Sequence, residues 1–361
     1  MTKKVEKNLK FWGHNCFSII SDKTLLITDP WFSNSGAFFG SWFQYPKNHH
    51  LKNKILELIE LSDNAYIFIT HEHQDHYDKE FLSCISKNTK ILIPSYMDKS
   101  FRSDCESLGL EVFEIKDKEK YQLNKDFWIS PYISHIGINH DSALLVVTEE
   151  FKFFNQNDCK IFDRLDEINE SIDYYSVQFS GATWHPSNFI LSDKRKKEIS
   201  KQKVNNKLNS VLRGIVNLKP KYFLPAAGPA IFPYLDDELS FGIDNIFIHH
   251  NVLNSFLKRN NVNNILYLNP GDHLDDKRHL PINPPSNHDD LEEYKRNTIN
   301  LWDKIDNIFD RELLEQSIIN RLNEIKDIDI DKAPILIFNY TNTFNKDDHS
   351  NTDKIFIDLS N

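Results

Sequence analysis

The sequence predicts an α/β layered domain followed by a smaller α+β tail, and three observations carry that reading. Apolar runs of strand length alternate with stretches of helical spacing along most of the chain, as sheets covered by helices require. A stretch rich in Pro, Asn and Asp, over 279–290, then breaks the alternation. Beyond it lie two helical patterns and two short apolar runs, which places a first domain over 1–280 and an α+β extension over 281–361.

In chain order, 9–12, 16–20 and 24–28 read as short strands, joined by turns at Gly13-His14-Asn15 and Ser21-Asp22-Lys23 and closed by Asp29-Pro30. The aromatic, glycine-containing stretch 31–45 suits a loop at the mouth of a site, and equally an ordinary packed surface loop. Helical spacing over 51–61 precedes an apolar strand at 65–69; a helix near 79–86 and a strand at 90–94 follow. Strands continue at 111–115 and 127–130, and the runs 142–147 and 151–154 form a hairpin. A basic segment opening at Lys194-Arg195-Lys196-Lys197 reads as a helix to about 218, its charges lining a solvated face, with anion binding as the alternative. A strand at 222–225 ends in the tight turn Ala226-Ala227-Gly228-Pro229. The tail holds helical patterns over 293–309 and 311–325 and strand-like runs at 335–338 and 355–357.

Composition narrows the function classes. A formal net charge of -10 and a pI near 5.8 argue against a general nucleic-acid binder, since phosphate contacts need a basic face. An anionic small-molecule substrate stays open, given a local basic or metal-rich pocket. The four cysteines, Cys16, Cys84, Cys105 and Cys159, are scattered without a Cys-x-x-Cys pair, so they read as buried reduced thiols rather than disulfides or zinc thiolates. No apolar segment follows Met1-Thr2-Lys3-Lys4 and no run of eighteen apolar residues occurs, so no membrane span and a cytoplasmic location are expected.

The stretch carrying chemistry is Thr70-His71-Glu72-His73-Gln74-Asp75-His76, directly behind the strand at 65–69. Neutral imidazole and carboxylate suit zinc, iron and manganese, and a chain leaving a strand can aim alternate side chains into one cleft. His71 and His73 share a face, while Asp75 and His76 begin a turn or helix, so one loop could feed two adjacent cations. A two-metal site needs further ligands and a bridging carboxylate, and strand ends are where they should sit. His135 and Asp158 meet that condition, and His140 competes with His135.

The His-x-His-x-Asp-His spacing resembles the signature of the metallo-β-lactamase superfamily, which implies a four-layered αβ/βα sandwich. By that resemblance His71 and His73 take the first cation, Asp75 and His76 the second, and Asp158 bridges them. It also implies a late histidine on the second cation, for which His250 is taken, with His185, His249 and His273 as alternatives. His14 and Asp29 are similar to early motifs of the lactonase-like and N-acylphosphatidylethanolamine phospholipase-D-like branch, where they would orient ligands or meet substrate, as could His140 and His185. Where the superfamily carries Gly-Asp-Thr at the bridge, this chain has Asn157-Asp158-Cys159.

Further segments resemble the metallo-β-lactamase-like part of the cytidine monophosphate N-acetylneuraminate hydroxylases over roughly 8–361. They include Asp141-Ser142-Ala143, Asn155-Gln156-Asn157, Phe179-Ser180-Gly181-Ala182, Pro225-Ala226-Ala227-Gly228 and Asn269-Pro270-Gly271. Those hydroxylases add a Rieske iron–sulfur domain, and no cysteine here has a histidine at its Cys-x-His or Cys-x-x-His spacing. Two expectations follow. The first is a hydrolase holding two divalent cations, zinc first and iron or manganese as alternatives, whose hydroxide attacks an ester, lactone or phosphodiester, with Asp75 accepting a proton. The second is a non-haem iron oxygenase that draws electrons from a separate redox partner.

Overall fold

The computed structural model describes residues 9–135, 141–187, 189–233, 235, 246–274, 281–282, 289–306, 316, 336–341 and 352–357. The first sheet is built from β1 (Leu9–Gly13), β2 (Cys16–Ser21) and β3 (Thr24–Thr28), then, after the short β4 (Phe43–Gln44), from β5 (Asn64–Phe68), β6 (Lys90–Pro94) and β7 (Glu111–Ile115). Its order is β1-β2-β3-β5-β6-β7, antiparallel as far as β3 and parallel beyond. The second sheet repeats the scheme with β8 (Tyr121–Asn124), β9 (Phe127–Ile133), β10 (Ser142–Val147), β11 (Lys152–Asn155), β12 (Tyr174–Gln178) and β13 (Tyr222–Ala226). Its neighbours are antiparallel from β8 to β11 and parallel from β11 to β13. A two-residue strand β14 (Ala230–Ile231) pairs with β4.

Three apolar layers explain the four-layer architecture. Phe17, Leu26, Phe68 and Leu92 of the first sheet meet Leu144, Val146, Phe153 and Leu224 of the second. On the outer face of the first sheet, Leu25, Ile27, Ile67 and Ile91 pack on α1 (Lys52–Glu60), α2 (Lys79–Leu82) and α3 (Ser100–Glu106) through Ile55, Phe81 and Phe101. On the outer face of the second, Leu145, Phe154, Tyr175 and Phe223 pack on α4 (Asp193–Leu218) and α5 (His250–Arg259) through Leu208, Val211, Leu253 and Leu257. Strands buried on both faces read as unbroken apolar runs, which is why Ile67, Phe68 and Ile69 show no alternation.

Local chemistry sets the boundaries. Ser192 caps α4 by accepting from Arg195 N, and Lys219 ends it in the left-handed conformation before Pro220. Asp78 caps α2 and also takes Phe32 N and Ser33 N at 2.9 and 2.8 Å, so one buried carboxylate ties the aromatic loop to the helix. The helix expected to reach 86 is thereby a single turn. Strands β8 and β12 and helix α3 lack an expectation from sequence.

The chain separates into two compact units, 1–298 and 299–361. The helix α6 (Asp289–Asp306) starts in the first, where Leu291 and Tyr294 join Phe43, the two rings 4.3 Å apart. The boundary expected at 280 falls beside residues outside the described set, as does the helix expected over 311–325. In the second unit β15 (Leu336–Thr341) and β16 (Thr352–Ile357) form an antiparallel pair.

Candidate metal centre

Strand ends assemble the centre. Beyond β5 the loop curls into a turn, with His76 N and Tyr77 N both donating to His73 O, at 2.9 and 2.7 Å. That turn separates ligands adjacent in sequence into two groups. His71 and His73 join Asp158, and Asp75 and His76 join His14; the ligating atoms of each group lie within 4.8 Å of one another. Asp158 spans both groups, with Oδ2 3.7 Å from His71 Nε2 and Oδ1 3.8 Å from His76 Nε2.

The backbone at Asp158 explains the departure from Gly-Asp-Thr. Asn157 has φ 46°, the left-handed region that glycine occupies freely and asparagine tolerates. Its Oδ1 accepts from Asp158 N at 2.7 Å and Cys159 N at 3.1 Å, and its Nδ2 donates to Ser142 O at 2.6 Å. The side chain thus secures the turn that aims Asp158. His14 and Asp29 also have positive φ, 49° and 37°, so three strained residues converge on one site.

A carboxylate behind the second group orients it. Asp29 Oδ1 accepts from Thr70 N at 2.8 Å, and Oδ2 accepts from Thr70 Oγ1, Asn15 Nδ2 and His76 Nδ1 at 2.8, 2.5 and 2.9 Å. Holding His76 Nδ1 in this way turns Nε2 toward the centre. His71 is treated similarly: Nδ1 faces Thr70 Oγ1 at 3.0 Å and Asp141 Oδ1 at 3.5 Å, while Nε2 approaches His73 Nδ1 at 2.8 Å.

The donor set fits divalent cations. Among the described residues, His14 Nε2, Asp75 Oδ1, His76 Nε2 and Asp158 Oδ1 are buried and have no hydrogen-bond partner. His14 Nε2 lies 3.2 Å from Asp75 Oδ2 without aligning as a hydrogen bond. Unsatisfied polar atoms are costly to bury unless something charged meets them. The charge balance agrees. Burial opposes a charge on His76, yet Asp158, Asp29 and Asp75 outweigh it and raise the imidazole to about 10. Burial likewise opposes ionised Asp75 and Asp158, but His76 and His14 hold the first well below the usual carboxylate range, and His71 and His76 lower the second. His71 is pushed down to about 4 by burial, and Asp141 is pushed well up by burial and by Asp158. The carboxylates thus draw positive charge into the site, as a site built for cations should.

Of the residues singled out from sequence, the structure brings His71, His73, Asp75, His76 and Asp158 together. It adds His14 as a member of the second group, not behind it, in the place expected for His250. His250 is buried against Phe179 and Tyr267, with ring centroids 4.7 and 5.9 Å apart, and burial lowers it to about 3. It lines a narrow cleft with His14 and Gln44 but joins neither group. His135 stands apart at the rim, 65% exposed, with Nε2 3.8 Å from Asp117 Oδ2, because the strand before it ends beside that carboxylate. His185 meets Phe189 edge-on, with ring centroids 4.8 Å apart, and joins neither group. His140 lies outside the described residues. Sequence reading missed Thr70, Asn15 and Asp141 as supports; for Thr70 the available signal was a hydroxyl directly before the first histidine.

No protein-family model matches the chain. It is 31% identical over 241 residues to a candidate Rieske 2Fe-2S iron–sulfur protein from Mycolicibacterium smegmatis, a match covering 63% of this chain and 44% of that protein. A similar protein from Mycobacterium tuberculosis is 30% identical, with 61% and 43% covered. The chain therefore spans less than half the length of these relatives. Among solved structures, a candidate metal-dependent hydrolase from Veillonella parvula matches with TM-score 0.50 and 11% identity, over 73% of this chain and 98% of that one. The isothiocyanate hydrolase from Delia radicum gut bacteria matches with TM-score 0.50 and 12% identity, over 76% and 99%. At such identities the likeness establishes a shared fold.

Proposed function

This chain has the metallo-β-lactamase fold, and from that premise we propose that it is a metal-dependent hydrolase with two divalent cations, acting on an ester, lactone or phosphodiester. The observation that carries the reading is Asp158, whose two oxygens reach one histidine from each ligand group. Bound cations would lower the pKa of water to supply a nucleophile and would stabilise the departing oxygen. The chain's own residues do the rest. His71, His73 and Asp158 would hold one cation, and His14, Asp75 and His76 the other. Asp29 and Thr70 keep His76 in the tautomer that offers Nε2. Asp75 would be the acceptor for the proton that water gives up. One water is consumed, one ester bond breaks, and an acid and an alcohol leave.

Aromatic side chains wall one side of this centre. Phe38 stands 6.1 Å from His73, Trp42 5.5 Å from Phe38, and Phe232 5.3 Å from Trp42, with Trp184 4.4 Å beyond. Such rings beside the exposed His73 favour a substrate with an apolar part. The test is esterase, lactonase and phosphodiesterase assays on purified protein, with and without chelator. Activity lost on chelation, restored by zinc and reduced at least a hundredfold by His73→Ala is expected; activity that survives both treatments overturns the reading.

One observation favours a second reading, an iron-dependent oxygenase fed by a separate redox partner: the relative of which this chain spans 44% is named for a Rieske iron–sulfur centre. Elemental analysis separates the two. Zinc in about two equivalents supports hydrolysis, whereas iron together with oxygen uptake driven by a reductant supports the oxygenase.

A further inference from the structure

Helix α4 was expected to present its lysines to water, yet two of them turn inward. Lys203 and Lys207 sit one turn apart, where side chains share a helix face. Lys203 donates to Thr183 Oγ1 at 3.0 Å and to His185 O at 2.9 Å, pinning the loop that follows β12. Lys207 is half-buried, and its ammonium donates to Gln178 Oε1. Gln178 ends β12, and its backbone N–H donates at 2.6 Å to the carbonyl of Asn157, the residue before Asp158. Lys207 is thereby held at the strand ends that build the metal centre, within electrostatic reach of Asp158 and Asp141.

We propose that Lys207, supported by Lys203, forms a subsite beside the metal centre that binds the oxyanion group, carboxylate or phosphate, of an anionic substrate; this deepens, and rests on, the hydrolase reading above.

An ammonium has three donors, and among the described residues Lys207 has one acceptor, a neutral amide oxygen. It makes no direct ion pair with Asp158 or Asp141 among those residues, so neutralising them does not account for its place. Burial pushes Lys207 down to about 8, and Lys160 adds to that against the pull of Asp158 and Asp141. A half-buried cation with a single neutral acceptor is stabilised by an incoming oxyanion, which supplies counter-charge and acceptors together. In a chain of net charge -10, a lysine ammonium at the strand ends that build the metal centre is a local inversion of sign. With the aromatic wall on the His73 side, the cleft suits a molecule with an apolar body and an anionic end.

The experiment measures inorganic phosphate and, separately, acetate binding by calorimetry on the full chain loaded with zinc, with metal content determined for every variant. Lys207→Met is expected to weaken one or both anions by roughly tenfold or more at unchanged metal content. Lys207→Arg should retain most of the binding and Lys203→Met lose less. The anion that responds identifies the group recognised. Unchanged binding of both anions in metal-loaded Lys207→Met overturns the proposal, and so does loss of metal from that variant, which would make Lys207 a support of the centre. A wild-type chain that takes up no metal defeats the hydrolase reading alone, provided phosphate binding still depends on Lys207.

Discussion

At the scale of single residues, the centre depends on groups that never touch a cation. Asp29 receives four hydrogen bonds and passes orientation to His76, so Asp29→Asn should weaken metal binding by about 10- to 100-fold while the fold persists. Titration of zinc against a competing chelator reads this directly, and an unchanged affinity would show that Asp29 only braces the loop. His14 belongs to one candidate ligand group alone, so His14→Ala should leave one firmly held equivalent where two are proposed for the wild type. Equal metal content in both proteins would return His14 to a supporting role. The Asn157 turn carries a related lesson: the absent glycine of the superfamily pattern is explained by a side chain that satisfies the amides of Asp158 and Cys159.

Among the elements, α4 shows how packing decides what a pattern leaves open. Its lysine-rich sequence predicted a solvated helix, and much of it is exposed, but Leu208, Val211 and Ile215 seat one stripe on the second sheet. Gly214 permits the approach, because a Cβ there would run into the Tyr175 hydroxyl, itself donating to Gln156 Oε1 at 2.7 Å. Gly214→Ala should therefore destabilise the first unit by about 1–3 kcal/mol, against the helix propensity gain that alanine brings elsewhere. Thermal unfolding followed by circular dichroism checks the sign; a stabilised variant would mean that the helix shifts freely on the sheet. The hairpin of β10 and β11 and the strand β5 were legible because buried strands in such sheets are continuous apolar runs. Strand β12, Tyr174–Gln178, has a mixed sequence and gains its place from pairing with β11 and β13.

For the first unit as a whole, the proposed cation binding would be linked to folding. The ligands come from the turn after β1, the loop after β5 and the end of β11, distant in sequence and joined only in the native state. Metal present at about a hundred times its dissociation constant should add about 2.7 kcal/mol to stability. That corresponds to a rise of about 4 °C in the unfolding midpoint of a unit this size. Differential scanning with and without zinc measures it, and a midpoint indifferent to metal would argue against a preformed centre. No helix among the described residues is long and apolar enough to cross a membrane.

The sequence by itself determined the layered α/β class and the His71 to His76 cluster, because hydrophobic period and ligand spacing are local properties. It also marked Asp158, since a carboxylate just past a strand end stands where strand topology puts sites. Only the tertiary structure brings one of the candidate histidines, His14, beside Asp75 and His76. His14, His135 and His250 each follow a turn or strand, and nothing local distinguishes them. The β1–β2 turn carries His14 to Asp75, the exit from β9 leaves His135 beside Asp117, and the start of α5 buries His250 against Phe179. The inward turn of Lys207 is of the same kind: a helix pattern names the face a lysine occupies, and the strand ends beneath it decide what its ammonium meets.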